Sequence, residues 1–423
     1  MSKTVRIISE LKVKAKYDVI VAGGGVAGVA AALTAKNRGL KVLLIEKQAI
    51  LGGLATSGLV NYFVSMCNGR GKQIIFGLAD KWFRESMKYG FGIIPDEWKD
   101  GEPEEPTNVR MKCHYSPNIF ALQLTEMINA AGVDILFDCL VTETVMEGNV
   151  IKGVVTESKS GKEYYECERI IDVTGDSDVL RRSGVPTVLG ENYYTYISYK
   201  ISLDSCKKAY ENKDIKYATS WFYGGNINLY GHNQPEDKPL WSGTTVEDVT
   251  DYLVDNQLCL LDKIKGDDPK SRDIVTLPHM PDFRQTCRID GEYTLKEEDR
   301  YKHFNDSVCA VNDFDRRDFL YEIPYRCLIN KDFPNIITAG RSASGEGYAW
   351  SIVRVIPVAI LTGQAAAEAV ALSLETNKPL SEIDIKTLQE RLEKDNNIMI
   401  HFPDKLVPED RDTIIRTPDE EHI

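Results

Sequence analysis

The chain has 423 residues, 43% hydrophobic and 27% charged, and 51 Lys and Arg stand against 64 Asp and Glu for a formal net charge of −13. At about 150 residues per domain this length suits two to three domains, and the balance of apolar and charged residues excludes both a disordered chain and a membrane bundle. The acidic surplus opposes sequence-independent nucleic-acid binding, which must neutralise phosphates.

The opening segment MSKTVRIISELKVKAK alternates charged and apolar residues and has neither the apolar stretch nor the small-residue cleavage site of a secretory signal, so a cytoplasmic location is expected. Residues 17–22 (YDVIVA) form an apolar run that ends in Gly23-Gly24-Gly25-Val26-Ala27-Gly28, and residues 29–37 read as a small-residue helix. A second apolar run over 40–45 ends at Glu46. Strand, glycine turn, helix and strand within about thirty residues make the βαβ unit of a dinucleotide fold. Further on, the pattern predicts a helix over 77–89, a loop rich in Pro and acidic residues over 95–106, and a helix over 117–131 with Pro near its start and Gly132 past its end.

From 133 to 173 the pattern turns to strands, with Ser160-Gly161 as a hairpin turn. Residues 191–317 differ in texture, dense in Tyr, Trp, His and charge, and read as an inserted domain. Strand character returns over 321–328 and 335–340, followed by a long helical stretch over 352–373 that contains Pro357. Its most apolar window holds Arg354, Gln364 and Glu368, costly for a lone helix in lipid, so no transmembrane segment is expected. An amphipathic helix and a polar, acidic tail finish the chain from Asp384. Nine scattered cysteines without a CxxC disfavour a disulfide framework, structural zinc and an iron–sulfur cluster.

The spacing Gly23-x-Gly25-x-x-Gly28 between a strand and a helix has a mechanical meaning. The first glycine makes the tight turn, the second lets backbone touch a pyrophosphate, and the third lets helix and sheet approach. The helix N-terminus adds about 0.3 to 2 kcal/mol toward an anion. Glu46 ends the next strand, where a carboxylate accepts hydrogen bonds from ribose hydroxyls worth roughly 1.5 to 3 kcal/mol and repels a 2′-phosphate. Directly after it, KQAILGGLATSGL (47–59) is a second glycine-rich loop. A nicotinamide enzyme has no general need for such a loop, whereas FAD, with its ribityl chain running back beneath the sheet, requires close backbone approach there.

At this point the sequence resembles the FAD-dependent oxidoreductases of the glutathione-reductase structural type, in particular a bacterial and archaeal family of poorly characterised flavoproteins. The resemblance rests on YDVIVAGGGVAGVAAALTAKNRGLKVLLIEKQAILGGLATSGLVN, IIDVTGDSDVLRRSGVP, CRIDGEYTLKEED, YEIPYRCLI and NIITAGRSASGEGYAWSIVRVIPVAILTGQAAAEA, covers about 16–371, and is weakest over 191–280. It implies an α/β fold: a Rossmann-like FAD-binding domain over 1–190 and 318–380, an inserted α+β substrate or cap domain over 191–317, and a C-terminal helix and tail over 381–423. Gly23, Gly25, Ala27 and Gly28 would hold the pyrophosphate and Glu46 the adenosine ribose, with Lys47 also among the cofactor-binding residues. Gly52, Gly53, Ala55, Thr56, Ser57 and Gly58 would lie along the flavin, and Val141 would offer backbone to the adenine. Thr174, Gly175 and Asp176 would pack near the nucleotide, with Gly340 and Arg341 near the ribityl and phosphates. Arg354 and Val355 would open the last long helix, its positive end toward the flavin.

No second GxGxxG is present for a nicotinamide domain, and Cys67 stands alone where disulfide reductases keep a pair. Electrons must therefore pass to or from a small-molecule substrate, oxygen or a separate redox partner. Arg284 and Arg288 are four apart, so on a helix they would share a face and clamp a carboxylate or polarise a carbonyl; the plainer reading is an interdomain salt bridge. His279 is a candidate base. Family members carry adjacent His-Glu where this chain has Gly347 and Tyr348, which leaves Glu346 or the Tyr348 phenol as replacements. The leading expectation is an FAD-dependent oxidoreductase moving a hydride between a small molecule and flavin N5, by dehydrogenation or by reduction of an activated double bond. The alternatives are a flavoprotein electron-transfer subunit and a nucleotide sensor without chemistry. Neither nucleic acid nor membrane is an expected partner, and homo-oligomer formation is left open.

Overall fold

The computed structural model describes residues 8–409. The start of the opening segment, 1–7, and the end of the acidic tail, 410–423, lie outside the described residues. Strand β1 (Val13–Ala22) begins exposed and ends buried. It turns at Gly23, whose φ of 108° suits glycine, and whose added Cβ would sit 2.4 Å from the Val173 carbonyl oxygen. Helix α1 (Val26–Asn37) is buried on nearly every side by Ala and Val, and β2 (Val42–Ile45) is wholly buried.

A short pair, β3 (Tyr62–Phe63) and β4 (Cys113–His114), brackets α2 (Gly77–Glu85). That helix stops short of the expected 89, where Ser86 turns its hydroxyl back to donate to the Phe83 carbonyl. Helix α3 (Pro117–Ala131) starts with Pro and stops at the left-handed Gly132. After β5 (Asp134–Leu136), the strands β6 (Leu140–Glu147), β7 (Val150–Ser158) and β8 (Gly161–Asp172) form an antiparallel meander. The last strand joins this meander to the parallel strands in one sheet, since β8 also runs parallel to β1, from Val13↔Tyr164 to Ala22↔Asp172.

Beyond α4 (Asp178–Arg182) and β9 (Thr187–Leu189) the chain enters the Tyr- and Trp-rich region. There β10 (Thr195–Ser202), α5 (Leu203–Asn212), β11 (Thr219–Asn226), α6 (Val246–Ile264) and β12 (Arg272–Thr276) build a three-stranded antiparallel sheet of order β11-β10-β12. Its own apolar cluster gathers Tyr196, Trp241, Tyr252, Leu260 and Phe283. Strand β13 (Cys287–Ile289) then pairs with β9. The hairpin of β14 (Ser307–Asn312) and β15 (Leu320–Pro324) returns to the main core. Strand β16 (Ile336–Thr338) pairs parallel to the end of β8 and completes the parallel set β5-β2-β1-β8-β16. This is a Rossmann-like arrangement, and in such sheets the ligand crevice opens at the carboxyl ends of the strands.

The long helix expected over 352–373 is two helices, α7 (Gly347–Arg354) and α8 (Ile356–Thr376), separated at Val355 with φ −63° and ψ 151°. Pro357 is the cause: it has no N–H to donate and its ring clashes with the carbonyl four residues back, so no helix passes through it. Arg354 therefore closes α7 rather than opening α8, and Val355 caps α8. Helix α8 is long and apolar enough to cross a membrane, with a mean hydropathy of 1.4, yet the whole of that apolar window is buried inside the fold. Its buried Glu368 pairs with Arg38 at 2.7 Å, and Gln364 accepts from the Leu78 amide at 3.0 Å. An added Cβ at Gly363 would lie 2.3 Å from the Ala27 carbonyl oxygen, so α8 presses directly on the first turn of α1. Helix α9 (Ile385–Lys394) packs on the outside, with Leu388 and Leu392 turned inward.

Candidate active site

At the carboxyl edge of the parallel strands lies a cleft of about 1050 Å³, counted out to its open mouth. Gly23, Gly25, Ala27, Glu46, Lys47, Gly52, Gly53, Ala55, Val141, Thr174, Gly175, Gly340, Arg341 and Arg354 all border it. The two glycine loops run side by side, joined by the Gly25–Gly52 bridge and by the Gly52 amide donating to the Gly24 carbonyl at 2.8 Å. No side chain caps α1 and no acidic residue sits in its first turn. A Cβ on Gly25 would meet nothing within 4 Å. The helix thus points an uncapped positive end into open space, as a pyrophosphate requires.

Glu46 is buried, its Oε2 accepting from the Gly24 amide at 2.6 Å and its Oε1 from the Gln48 amide at 2.7 Å. Burial pushes its carboxyl above the usual carboxylate range, with those backbone bonds opposing the shift. Each oxygen keeps a second acceptor site, which suits a ribose diol. The residues present therefore fit FAD.

The other residues expected near the cofactor support the cleft from behind. Gly28 lies under the turn, where a Cβ would be 1.9 Å from the Gly23 carbonyl oxygen. Thr56 donates to the Leu51 carbonyl and Ser57 to the Gly53 carbonyl, and Gly58 packs on Leu54. Asp176 holds Arg341 at 2.7 Å, with Lys47 Nζ 3.8 Å from its other oxygen. The Arg341 guanidinium also donates to the Phe283 carbonyl, so the charge expected to face phosphate is already shared inside the protein.

Arg354 borders a second cavity, of about 810 Å³ to its mouth, together with Arg284, Arg316, Tyr193, Tyr230 and Tyr348. The rings of Tyr230 and Tyr348 stack at 6.0 Å and 4°, and the Arg316 guanidinium lies 4.2 Å over Tyr348 while pairing with Glu297 at 2.5 Å. Tyr348 donates to Asp313 Oδ1 at 2.7 Å, and that oxygen also accepts from the Asp315 and Arg316 amides. Burial raises the Asp313 carboxyl to about 6, and burial followed by the Asp313 charge pushes the Tyr348 phenol far above its ordinary value. Burial, then the neighbouring Arg284, lowers the Arg354 guanidinium to about 9.

The expected substrate-side residues are only partly brought together. Arg284 and Arg288 share no helix face: Arg284 lies in the loop before β13 and Arg288 within that strand. Pairing of β13 with β9 imposes an extended backbone there, which overrides the four-residue spacing. Arg288 is buried and donates to Ser344 Oγ at 2.9 Å and to the Ile289 carbonyl, outside both cavities. His279 is exposed. Its amide donates to the Ser57 carbonyl at 2.9 Å, and it is the next residue, Met280, that enters the cleft. Glu346 pairs with Lys296 at 3.3 Å on the surface, whereas its neighbours Gly347 and Tyr348 line the second cavity. Asp282, Asp313, Arg316 and Tyr230 escaped the sequence reading; the run DFDRRD over 313–318 was the one visible signal.

A family-wide sequence profile described as FAD dependent oxidoreductase matches residues 18–196 and 206–392, and the chain belongs to that family. It is an FAD-dependent oxidoreductase. Among curated relatives it is similar to digeranylgeranylglycerophospholipid reductase 1 of Methanococcoides burtonii, 29% identical over 50% of this chain and 49% of that protein. It is also similar to the digeranylgeranylglycerophospholipid reductase of Methanospirillum hungatei, 26% identical over 52% of each. The chain spans about half the length of these curated relatives. Among solved structures it is similar to a geranylgeranyl bacteriochlorophyll reductase-like protein from Thermoplasma acidophilum, at 13% identity and a TM-score of 0.47 over 92% of this chain and 94% of that one.

Proposed function

We propose that the enzyme reduces a carbon–carbon double bond in a small molecule seated in the Arg284–Tyr348 cavity, beside the cleft whose glycine turns and Glu46 would hold FAD. The observation that carries this reading is the shared wall: Arg354 borders both the glycine-lined cleft and the second cavity. A molecule in one is therefore adjacent to a cofactor in the other. Relatives named as reductases support the direction.

FAD, when bound, supplies two-electron hydride chemistry. The chain's own groups do the remainder. Glu46 and the glycine turns orient the nucleotide, and the stacked tyrosines hold the substrate and exclude water. The coupled proton comes through Tyr348, which stays protonated, with the Asp313 carboxyl behind it able to exchange near neutral pH. Reducing equivalents arrive from a separate donor, in keeping with a single GxGxxG. The unpaired thiols favour a reducing compartment, so we place the reaction in the cytoplasm. The division of the chain at 190/191, 317/318 and 380/381 is retained as a proposal, supported by the separate cluster around Trp241.

The test is anaerobic reduction of the purified yellow protein, followed by reoxidation with a panel of unsaturated small molecules. Return of the oxidised flavin spectrum with one reduced product per turnover is expected. Reoxidation by protein redox partners alone would overturn the reading in favour of an electron-transfer subunit.

A further inference from the structure

We infer that the second cavity binds its substrate through a single carboxylate on a planar body, gripped between Arg284 and Arg354. The inference rests on the reading that this cavity takes the substrate. Among the described residues neither arginine has a carboxylate within ion-pair distance, and Arg284 Nη1 and Arg354 Nε are buried without a hydrogen-bond partner. Arginine does not shed its proton at neutral pH, and a buried donor left unmade is unfavourable. Such a pair is therefore built for a ligand that supplies the acceptors.

Charge balance selects the ligand's valence. Three guanidinium groups, Arg284, Arg341 and Arg354, influence the buried Asp282, whose Oδ2 also has no partner. Arg341 is neutralised by Asp176 at 2.7 Å. Asp282 then faces two cations, which leaves a surplus of one positive charge. A monocarboxylate cancels that surplus, whereas a phosphate dianion overshoots it. Glu191 stands on the same wall but is exposed and screened by water, so it stays outside this count.

Geometry selects the body. Tyr230 and Tyr348, stacked on each other with Arg316 over Tyr348, border the cavity beside the cations, and a planar acid can pack edge-to-face against them while its carboxylate takes paired N–H donors. The grip is set in advance. Asn192 Oδ1 accepts from the Arg284 and Gln285 amides at 2.6 and 2.9 Å, and its Nδ2 donates to the Gln285 and Trp241 carbonyls at 3.1 Å. Arg284 discriminates best, because unlike Arg354 it does not border the flavin cleft.

The experiment titrates the holoenzyme with matched acid and amide pairs, benzoate with benzamide and cinnamate with cinnamamide, by calorimetry and by the shift of the flavin absorption band. At least one acid should bind about tenfold or more tightly than its amide. Arg284→Gln should abolish that preference with flavin content unchanged. Equal binding of every acid and its amide, or a preference that survives in Arg284→Gln, would overturn the inference. So would displacement of the acid by inorganic phosphate at concentrations where acetate does not compete. A colourless wild-type protein would instead overturn the reading of the cleft on which the inference rests.

Discussion

Glu46 Oε2 accepts a 2.6 Å hydrogen bond from the Gly24 amide, which locks the carboxylate at the end of β2 onto the glycine turn that follows β1. The acid proposed to hold ribose thus also shapes the loop beneath the pyrophosphate. Glu46→Ala should lower FAD affinity by roughly 10- to 100-fold, the equivalent of one or two charge-assisted hydrogen bonds, measured by titrating FAD onto the apoprotein. Unchanged affinity would remove Glu46 from the site.

Asp313 and Tyr348 give a pH prediction. Burial raises the folded-state Asp313 carboxyl to about 6, above its unfolded value of about 4, so between those values the folded state binds the extra proton. Stability should therefore fall as pH rises through that window, by roughly 3 kcal/mol relative to Asp313→Asn, in urea unfolding at pH 4 and pH 7. Turnover in the reducing direction, which needs the proton, should decline above about pH 6 in wild type. Tyr348→Phe should cut kcat by about 100-fold or more with flavin still bound. A full rate in that variant would exclude the Tyr348 route.

The segment that follows α9 carries a second pH dependence. His303 bridges buried Glu322 at 2.6 Å and Asp404 at 2.9 Å, and His401 bonds the other Glu322 oxygen at 3.0 Å. Burial opposes charge on His303, but the two carboxylates outweigh it and hold the imidazole above its ordinary value. The stabilisation is complete below the unfolded value of about 6.5 and is lost as pH rises through the folded one. Amide exchange over 400–406 should quicken across that window in wild type and show no such step in His303→Gln.

Gly363 transmits packing to the cofactor. Gly363→Ala forces its Cβ against the Ala27 carbonyl and should cost about 1 to 3 kcal/mol in denaturant melts. It should also weaken FAD binding, because the first turn of α1 is what moves.

Much of the cofactor side was legible in the sequence because its signals are local. The turn at Gly23 and the helix stop at Gly132 are marked by the glycines themselves, and Glu46 meets Gly24 within one βαβ unit, 22 positions away. The substrate side was not legible in the same way. Arg284 and Arg288 matched a helical spacing, but Asn192, 92 positions from Arg284, and the partner strand β9 fix that segment as loop and strand. Pro357 was visible in the stretch read as one helix, yet its consequence, placing Arg354 at the end of α7, follows only once the break is taken seriously. Asp313 and Tyr348 meet across 35 positions, a pairing no periodicity encodes.

If FAD sits on the glycine turn at the start of α1, Gly25→Val must displace it. Gly25 has φ −65° and open space where a Cβ would go, so the substitution is unstrained in the apoprotein and fills only the ligand's place. Equilibrium titration should find an unchanged apoprotein melting temperature with FAD binding reduced by about 100-fold or more. Binding of FAD by Gly25→Val as tightly as by wild type would mean that the pyrophosphate does not rest on this turn.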